Sequence, residues 1–112
     1  MSELIFISSP YTHKDTQITE DRVIMVSKFS AKLVSEGYVA ISPIVYGHTL
    51  LKFHDMPSDW QFWKNYCETF ILKCDKVIVL KLDGWEDSTG VKGEIEFAKL
   101  HNIPVEYVEY KL

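Results

Sequence analysis

Short apolar segments alternate with longer amphipathic ones along the chain, and this alternation is the first structural signal in the sequence. The short segments have the length and composition of buried strands and occupy residues 4–8, 38–41, 75–80 and 103–108. The longer segments carry apolar residues at helical spacing and occupy residues 19–36, 57–73 and 91–102. Residues 44–56 follow neither period, so we expect an irregular loop there, with room for one helical turn.

The β-α-β-α-β-α-β order predicts a parallel sheet with helices on both faces. Right-handed crossovers then give a Rossmann-like or flavodoxin-like α/β fold with strand order 2-1-3-4 and the alternating fourth strand at an edge. The 112 residues are enough for a single domain, residues 1–112. The topological switch point lies between strands one and three, so the polar loops 8–15 and 82–90 converge there.

The stretch KLDGWEDSTGVKGEIEFA, residues 81–98, is the most informative part of the chain. It follows a buried strand and opens a helix, and we place Glu94 in the first helical turn, at the edge where α/β sheets bind ligands. Gly90 and Gly93 each cost roughly 1 kcal/mol in a helix, which indicates close approach of a ligand or another backbone. The alternative is an ordinary capped helix with Ser88 or Thr89 as N-cap.

Charge and cysteine content exclude several classes of protein. The formal net charge is −4 and there is no basic run, so we expect no nucleic-acid polymer as partner. The first residues lack the pattern of a signal peptide or membrane helix, so we expect no membrane association. Cys67 and Cys74 lie about 10 Å apart along one helix, which is too far for a disulfide, and belong to no zinc motif. We expect a cytoplasmic protein without a metal.

Five segments of the chain resemble the nucleoside 2-deoxyribosyltransferase superfamily, and within it the small DUF1937-type members. They are IFISSPYTH, GYVAISPIVYGH, DWQFWKNY, CDKVIVLKLDGWEDSTGVKGEIEFA and IPVEYV. The resemblance implies that Glu94 attacks the anomeric carbon of a nucleotide or nucleoside and forms a glycosyl-enzyme, with no cofactor. It also implies a homodimer in which a neighbour completes the pocket. The aromatic residues of the 44–66 region, which exceed what one helix face can bury, predict the same association.

Two positions of the superfamily pattern bear on the substrate and the mechanism. Six residues before the nucleophile, nucleoside transferases tend to carry Asp, whereas hydrolases of nucleoside 5′-monophosphates tend to carry Ser; this chain has Ser88. A hydroxyl at a helix start tolerates a phosphate dianion that a carboxylate would repel. The acid thought to assist the leaving base is replaced by Cys67, so Glu68, Asp55 or Asp59 takes that role, or the base leaves unaided, or the protein binds without cleaving.

Further candidate substrate-binding residues lie in the polar loops and beside them. Each has a structural alternative, such as turn capping, packing or a solvated loop. They are Ser8, Ser9, Tyr11, His48, Asp83, Gly84, Trp85 and Gly90. Trp85 is a candidate platform for a base or sugar, whereas the helical spacing of Trp60 and Trp63 favours a place in the core or a subunit interface.

Three functions are compatible with these features. The first is an N-glycosidase that hydrolyses a (deoxy)nucleoside 5′-monophosphate, and Ser88 favours it. The second is a transferase that moves deoxyribose between bases through the same covalent step. The third is a nucleotide-binding or sensing module without catalysis, which the replacement of the acid by Cys67 favours.

Overall fold

The sheet consists of four parallel strands, and the computed structural model describes residues 2–111. The strands are β1 (Leu4–Ser8), β2 (Val39–Ile41), β3 (Lys76–Lys81) and β4 (Val105–Glu109). Their order is β2-β1-β3-β4, and all three pairings are parallel. The predicted α/β class, the strand order 2-1-3-4 and the edge position of the fourth strand are confirmed.

Helices cover both faces of this sheet. They are α1 (Thr16–Ser35), α2 (Pro43–Leu51), α3 (Trp60–Lys73) and α4 (Thr89–Leu100). Because side chains alternate along a strand, Ile5 and Ile7 of β1 pack with α1 and α2, whereas Phe6 packs with α3 and α4. The same alternation divides the buried residues of β3 between the two cores. Ser8 therefore lies on the face of Phe6, toward α3 and α4.

All four helices differ from the sequence-based expectation. Helix α3 begins at Trp60 rather than at residue 57, α4 spans Thr89–Leu100 rather than 91–102, and the differences at α2 and α1 follow from helix caps. Residues 43–51, predicted as part of a loop, form α2, because Ser42 caps the helix by accepting a hydrogen bond from Val45 N at 3.2 Å and Pro43 occupies the first turn. Helix α1 begins at Thr16 rather than Thr19, because the Asp15 side chain caps it through Gln17 N at 3.0 Å. In both places a cap was mistaken for the end of the preceding segment.

The aromatic residues predicted to mediate dimer formation lie around α2 and α3. Phe53 is 84% exposed, and Phe62 and Tyr46 are about half exposed. Trp63 and Tyr66 are partly buried, with ring centroids 5.2 Å apart. These residues leave an apolar surface exposed on one chain, and the association itself stays a prediction.

Helices α3 and α4 meet where Trp60 lies against the second turn of α4. A Cβ atom at Gly93 would come within 2.5 Å of the indole ring of Trp60. A Cβ at Gly90 would lie 3.7 Å from the same ring, an ordinary contact. The close approach predicted for these glycines is therefore to a tryptophan side chain, and only Gly93 needs it.

The two glycines should respond oppositely to alanine. Gly93→Ala should destabilise the protein by about 1–3 kcal/mol, because the indole of Trp60 must move out of a packed position. Gly90→Ala should be neutral or stabilising by up to about 1 kcal/mol, because alanine favours the helix and fits the space. Urea unfolding of both variants checks the pair; equal effects would show that the Trp60 contact does not constrain α4.

Candidate functional site

A cavity of about 530 Å³ opens beyond the carboxyl ends of β1 and β3. The loop after β1, helices α2 and α3, and the beginning of α4 enclose it. This is the predicted switch point of the sheet, where adjacent crossovers leave in opposite directions. Several predicted site residues line it, namely Ser9, Tyr11, His48, Ser88, Gly90 and Glu94. So do Trp60, Trp63 and Cys67.

Glu94 is the buried carboxyl group of this cavity. Because Ser88 is the N-cap and α4 begins at Thr89, Glu94 lies in the second helical turn rather than the first, and it is only 5% exposed. The Ser8 hydroxyl donates a hydrogen bond to Glu94 Oε1 at 2.5 Å. Ser8 is itself fully buried, so a side chain from β1 fixes the carboxyl group of α4.

Burial governs the protonation of this group. Removal from water raises the pKa of Glu94 to about 7, while hydrogen bonds from Ser8 and Cys67, which favour the charged form, oppose the rise. Burial also raises the pKa of Cys67, and the neighbouring Glu94 raises it further. The thiol therefore stays protonated and stabilises the Glu94 carboxylate, which makes Cys67 unsuitable as an acid for a leaving group.

Among the acids considered as replacements for that acid, only Asp59 lines the cavity. It is the residue before α3 and its side chain makes no capping hydrogen bond. Asp55 and Glu68 lie outside the lining. Asp87 also lines the cavity, and both it and Asp59 are exposed.

The beginning of α4 supplies polar groups to the cavity. Ser88 Oγ accepts a hydrogen bond from Val91 N at 3.2 Å, which confirms Ser88 as the N-cap, and Ser88 also faces the cavity. The first N–H groups of a helix have no acceptor within the helix. The Ser9 hydroxyl is buried and has no partner among the described residues, so it is available to a ligand. Ser9 and the start of α4 line the same cavity, and we refer to their donors together as the donor-rich corner.

Tyr11 and His48 line the cavity as a hydrogen-bonded pair. The Tyr11 hydroxyl lies 2.8 Å from His48 Nδ1, and the rings meet edge to face. His48 Nε2 is shielded from water and lies 3.3 Å from Glu20 Oε1, an ion-pair distance that lacks the alignment of a hydrogen bond. Glu20, on α1, was not predicted as a site residue, because nothing in the spacing of the sequence connects it with α2.

Trp60 and Trp63 form an aromatic wall of the cavity. The sequence placed them in the core or an interface; they do pack against the core between α3 and the sheet, yet both also face the cavity. The Trp63 indole is fixed by a hydrogen bond from Nε1 to Pro57 O at 3.0 Å. Gly47 of α2 lies beside this ring, and a Cβ there would be 3.4 Å from it, an ordinary contact.

The structure separates Asp83, Gly84 and Trp85 from Glu94. These three predicted substrate-binding residues line a different cavity beside β4. Trp85 packs against Tyr107 with ring centroids 5.6 Å apart, which removes it from the position of a base platform. The positive φ of Gly84, 87°, turns the chain beside Arg22. The turn of residues 84–88 places them away from the cavity that Glu94 lines, and their part in substrate binding stays a prediction.

Arg22 joins the two loops that meet at the switch point. Its buried guanidinium donates to the carbonyl oxygens of Thr12 at 3.0 Å and Asp83 at 2.9 Å. Sequence reasoning treated it only as part of a helix start. The contact fixes the loop that carries Tyr11 relative to the turn that precedes α4.

Two kinds of feature are missing from residues 2–111. No cluster of three or more histidine, cysteine, aspartate or glutamate side chains in this range could hold a metal ion. No helix in the same range combines the length and apolar character that crossing a membrane requires. Cys67 and Cys74 are both free, as their spacing predicted.

Comparisons with known proteins give the family of the chain. A comparison with curated proteins finds no match. A family model described as "Domain of unknown function (DUF1937)" matches residues 3–110, which is nearly the whole chain. The chain belongs to the DUF1937 family.

Proposed function

We propose that this protein is an N-glycosidase that hydrolyses the N-glycosidic bond of a (deoxy)nucleoside 5′-monophosphate, with Glu94 as nucleophile. The observation that carries the proposal is the buried Glu94 carboxyl group, held by Ser8 at 2.5 Å beside a cavity of nucleotide size. A carboxylate fixed in a water-poor site can attack an anomeric carbon and form a covalent intermediate. The motif resemblance to nucleoside 2-deoxyribosyltransferases supports the same role.

The donor-rich corner accounts for the phosphate of this substrate. The start of α4 presents N–H groups and the positive end of the helix dipole to the cavity. The Ser9 hydroxyl, which has no partner among the described residues, and the neutral Ser88 side chain add donors, although the exposed Asp87, next to Ser88 in the chain, also lines the cavity. A 5′-phosphate placed there would leave the sugar between this corner and Glu94.

The aromatic wall accounts for the base. Trp60 and Trp63 are held by Gly93 and by the Pro57 carbonyl, so their rings are positioned before a ligand arrives. Tyr11 lines the same cavity. Flat aromatic side chains stack on any nucleobase, at roughly 1–3 kcal/mol per base. This lining favours a nucleotide over a plain sugar phosphate.

Two other functions would use the same cavity. A transferase would pass the glycosyl group from Glu94 to a second base instead of water. A binding module would keep Glu94 as a hydrogen-bond partner, and the pKa of about 7 favours it, because a large share of the carboxyl groups would be neutral near pH 7. Chromatography of free base from monophosphates, with and without an acceptor base, separates the three.

Glu94→Gln should abolish turnover and preserve binding. The amide keeps the shape of the side chain but cannot attack, so base release should fall by at least about a thousandfold. Glu96→Gln, at an exposed position two residues along the same helix, is the matched control and should retain activity. Base release by Glu94→Gln at the wild-type rate would exclude Glu94 as nucleophile.

Stability should depend on pH through the same group. The pKa of Glu94 is near 4.5 in the unfolded chain and about 7 in the folded protein. The folded state therefore binds more protons than the unfolded state between these two pH values. The contribution of Glu94 to stability is therefore lost as pH rises from about 4.5 to 7. Glu94→Gln stays neutral, and at pH 8 it should be more stable than the wild type by up to about 3 kcal/mol. Urea unfolding at pH 5 and 8 measures this; parallel pH profiles would contradict it.

Ser88→Asp should weaken monophosphate binding selectively. Asp caps the helix as Ser does, but it adds a negative charge that repels a phosphate. At 4 Å and an effective dielectric constant of 20 the repulsion is roughly 4 kcal/mol, and salt reduces it. Affinity for a monophosphate should fall by about 100–1,000-fold, and affinity for its nucleoside should change little. Ser88→Asn, a neutral cap, is the control. Calorimetry in the Glu94→Gln background measures binding without turnover; unchanged monophosphate affinity would exclude this phosphate site.

A further inference from the structure

Three side chains from three separate elements form a continuous row that ends at the cavity. Tyr11 follows β1, His48 lies on α2 and Glu20 lies on α1. The Tyr11 hydroxyl is 2.8 Å from His48 Nδ1, and His48 Nε2 is 3.3 Å from Glu20 Oε1. Tyr11 and His48 line the cavity, whereas the Glu20 side chain is about half exposed. The three side chains therefore extend from the cavity toward the surface, through one hydrogen bond between Tyr11 and His48 and one ion-pair contact between His48 and Glu20.

The direction of the central hydrogen bond depends on the protons of His48. With a proton on Nε2 alone, Nδ1 accepts from the Tyr11 hydroxyl. With protons on both nitrogens, Nδ1 donates to the phenol oxygen, and the Tyr11 hydrogen is free to face the cavity. The Glu20 carboxylate lies where it compensates the charge of the doubly protonated ring. The row can therefore present either an acceptor or a donor to a ligand.

The proposed reaction needs a proton donor for the departing base. The Cys67 thiol is unsuitable, because it is buried and its hydrogen bond is directed to the Glu94 carboxyl group rather than to the base. Asp59 and Asp87 also line the cavity, but both are exposed residues. Tyr11 is part-buried, and burial followed by the charge of Glu20 raises its pKa, so the phenol holds its proton. Tyrosine is an established general acid in proteins.

We propose that Tyr11 is the general acid for the leaving base, that His48 returns its proton, and that Glu20 positions His48. This assignment rests on the proposed glycosidase function. Tyr11 is then a catalytic residue because it contacts the base, and the other two act through it. It accounts for the replacement of the expected acid by Cys67 on α3, since the proton would come from the opposite side of the cavity.

The protons and electrons of the two steps balance. First, Glu94 bonds to C1′ while the C1′–N bond breaks. The electron pair of the broken bond stays on the base nitrogen. That nitrogen takes the Tyr11 proton, and the phenol oxygen takes the Nδ1 proton of His48. Next, water attacks C1′, the bond to Glu94 breaks, and the proton lost by water returns through Tyr11 to Nδ1. Water is consumed, the base and the sugar phosphate leave, and the enzyme is restored.

A pair of substrates that differ in their leaving group tests the acid. A nucleoside 5′-monophosphate needs protonation of its base, whereas 4-nitrophenyl riboside 5-phosphate releases a stable nitrophenolate without it. Tyr11→Phe should lower kcat/KM, which reports the steps up to release of the leaving group, by about 100-fold or more for the nucleotide and by less than about fivefold for the nitrophenyl substrate. Tyr38→Phe, an exposed tyrosine outside the cavity, is the matched control and should leave both rates unchanged.

A double variant tests whether His48 acts through Tyr11. His48→Gln alone should reproduce the preference for the nitrophenyl substrate with a smaller loss, and Glu20→Gln a smaller one still. Adding His48→Gln to Tyr11→Phe should cost no further activity on the nucleotide, because the proton path is already broken. Glu36→Gln, exposed at the end of α1, is the control for Glu20.

The outcomes separate the two levels of the argument. A loss of activity on the nucleotide but not on the nitrophenyl substrate supports proton donation by Tyr11 and His48. Equal loss on both substrates, or no loss, overturns it and leaves Glu94 chemistry intact. A multiplicative loss in the double variant overturns the role of His48. If the wild type cleaves neither substrate under conditions in which it binds the nucleotide, the glycosidase function fails, and the proton row fails with it.

Discussion

The rest of the site depends on holding the Glu94 carboxyl group out of water. A buried carboxylate is costly unless its oxygens have partners, and the partners come from two other elements: Ser8 from β1 and Cys67 from α3. The three can meet only if the end of β1, the middle of α3 and the start of α4 are fixed relative to one another. Burial then raises the pKa of Glu94 to about 7, so the folding of the chain sets the charge state of the proposed nucleophile.

The walls of the cavity are fixed by contacts away from Glu94. Gly93 lets the Trp60 ring lie directly against α4, and the Pro57 carbonyl oxygen holds the Trp63 ring through its Nε1. Arg22 links the loop after β1 to the turn before α4 through carbonyl oxygens. In each of these contacts, a packed residue also shapes the wall of the cavity. This explains why the two tryptophans have the spacing of core residues and still face the cavity.

The row formed by Tyr11, His48 and Glu20 and the carboxylate of Glu94 lie on different sides of the sheet, at the carboxyl ends of its strands. Glu94 and Cys67 belong to the α3–α4 layer, whereas His48 and Glu20 belong to α2 and α1 of the opposite layer. Tyr11 extends from the loop between these layers. A ligand in the cavity would therefore meet the proposed nucleophile from one layer and the proposed proton donor from the loop between the layers, an arrangement compatible with cleavage of a glycosidic bond.

The sequence by itself determined the architecture and the central carboxylate. The alternation of short apolar runs with amphipathic segments is enough for the strand order, because right-handed crossovers leave few other topologies. The turn after β3 was enough to single out Glu94 and Ser88, because both lie close together in sequence at a helix start. Helix α2 was missed because its cap, Ser42 and Pro43, also resembles the end of a strand.

Only the tertiary structure decided which distant side chains join that carboxylate. Ser8, Cys67 and Glu94 meet across three elements, and the hydrogen bond from Ser8 spans 86 residues of sequence. Sequence spacing likewise carried no sign that Glu20 and His48 lie together, or that Arg22 spans two loops. It grouped Trp85 with Glu94 because both lie in one motif, whereas packing on Tyr107 turns that ring toward β4. Periodicity reports which face of an element is buried; the partner on that face is fixed only when the layers pack.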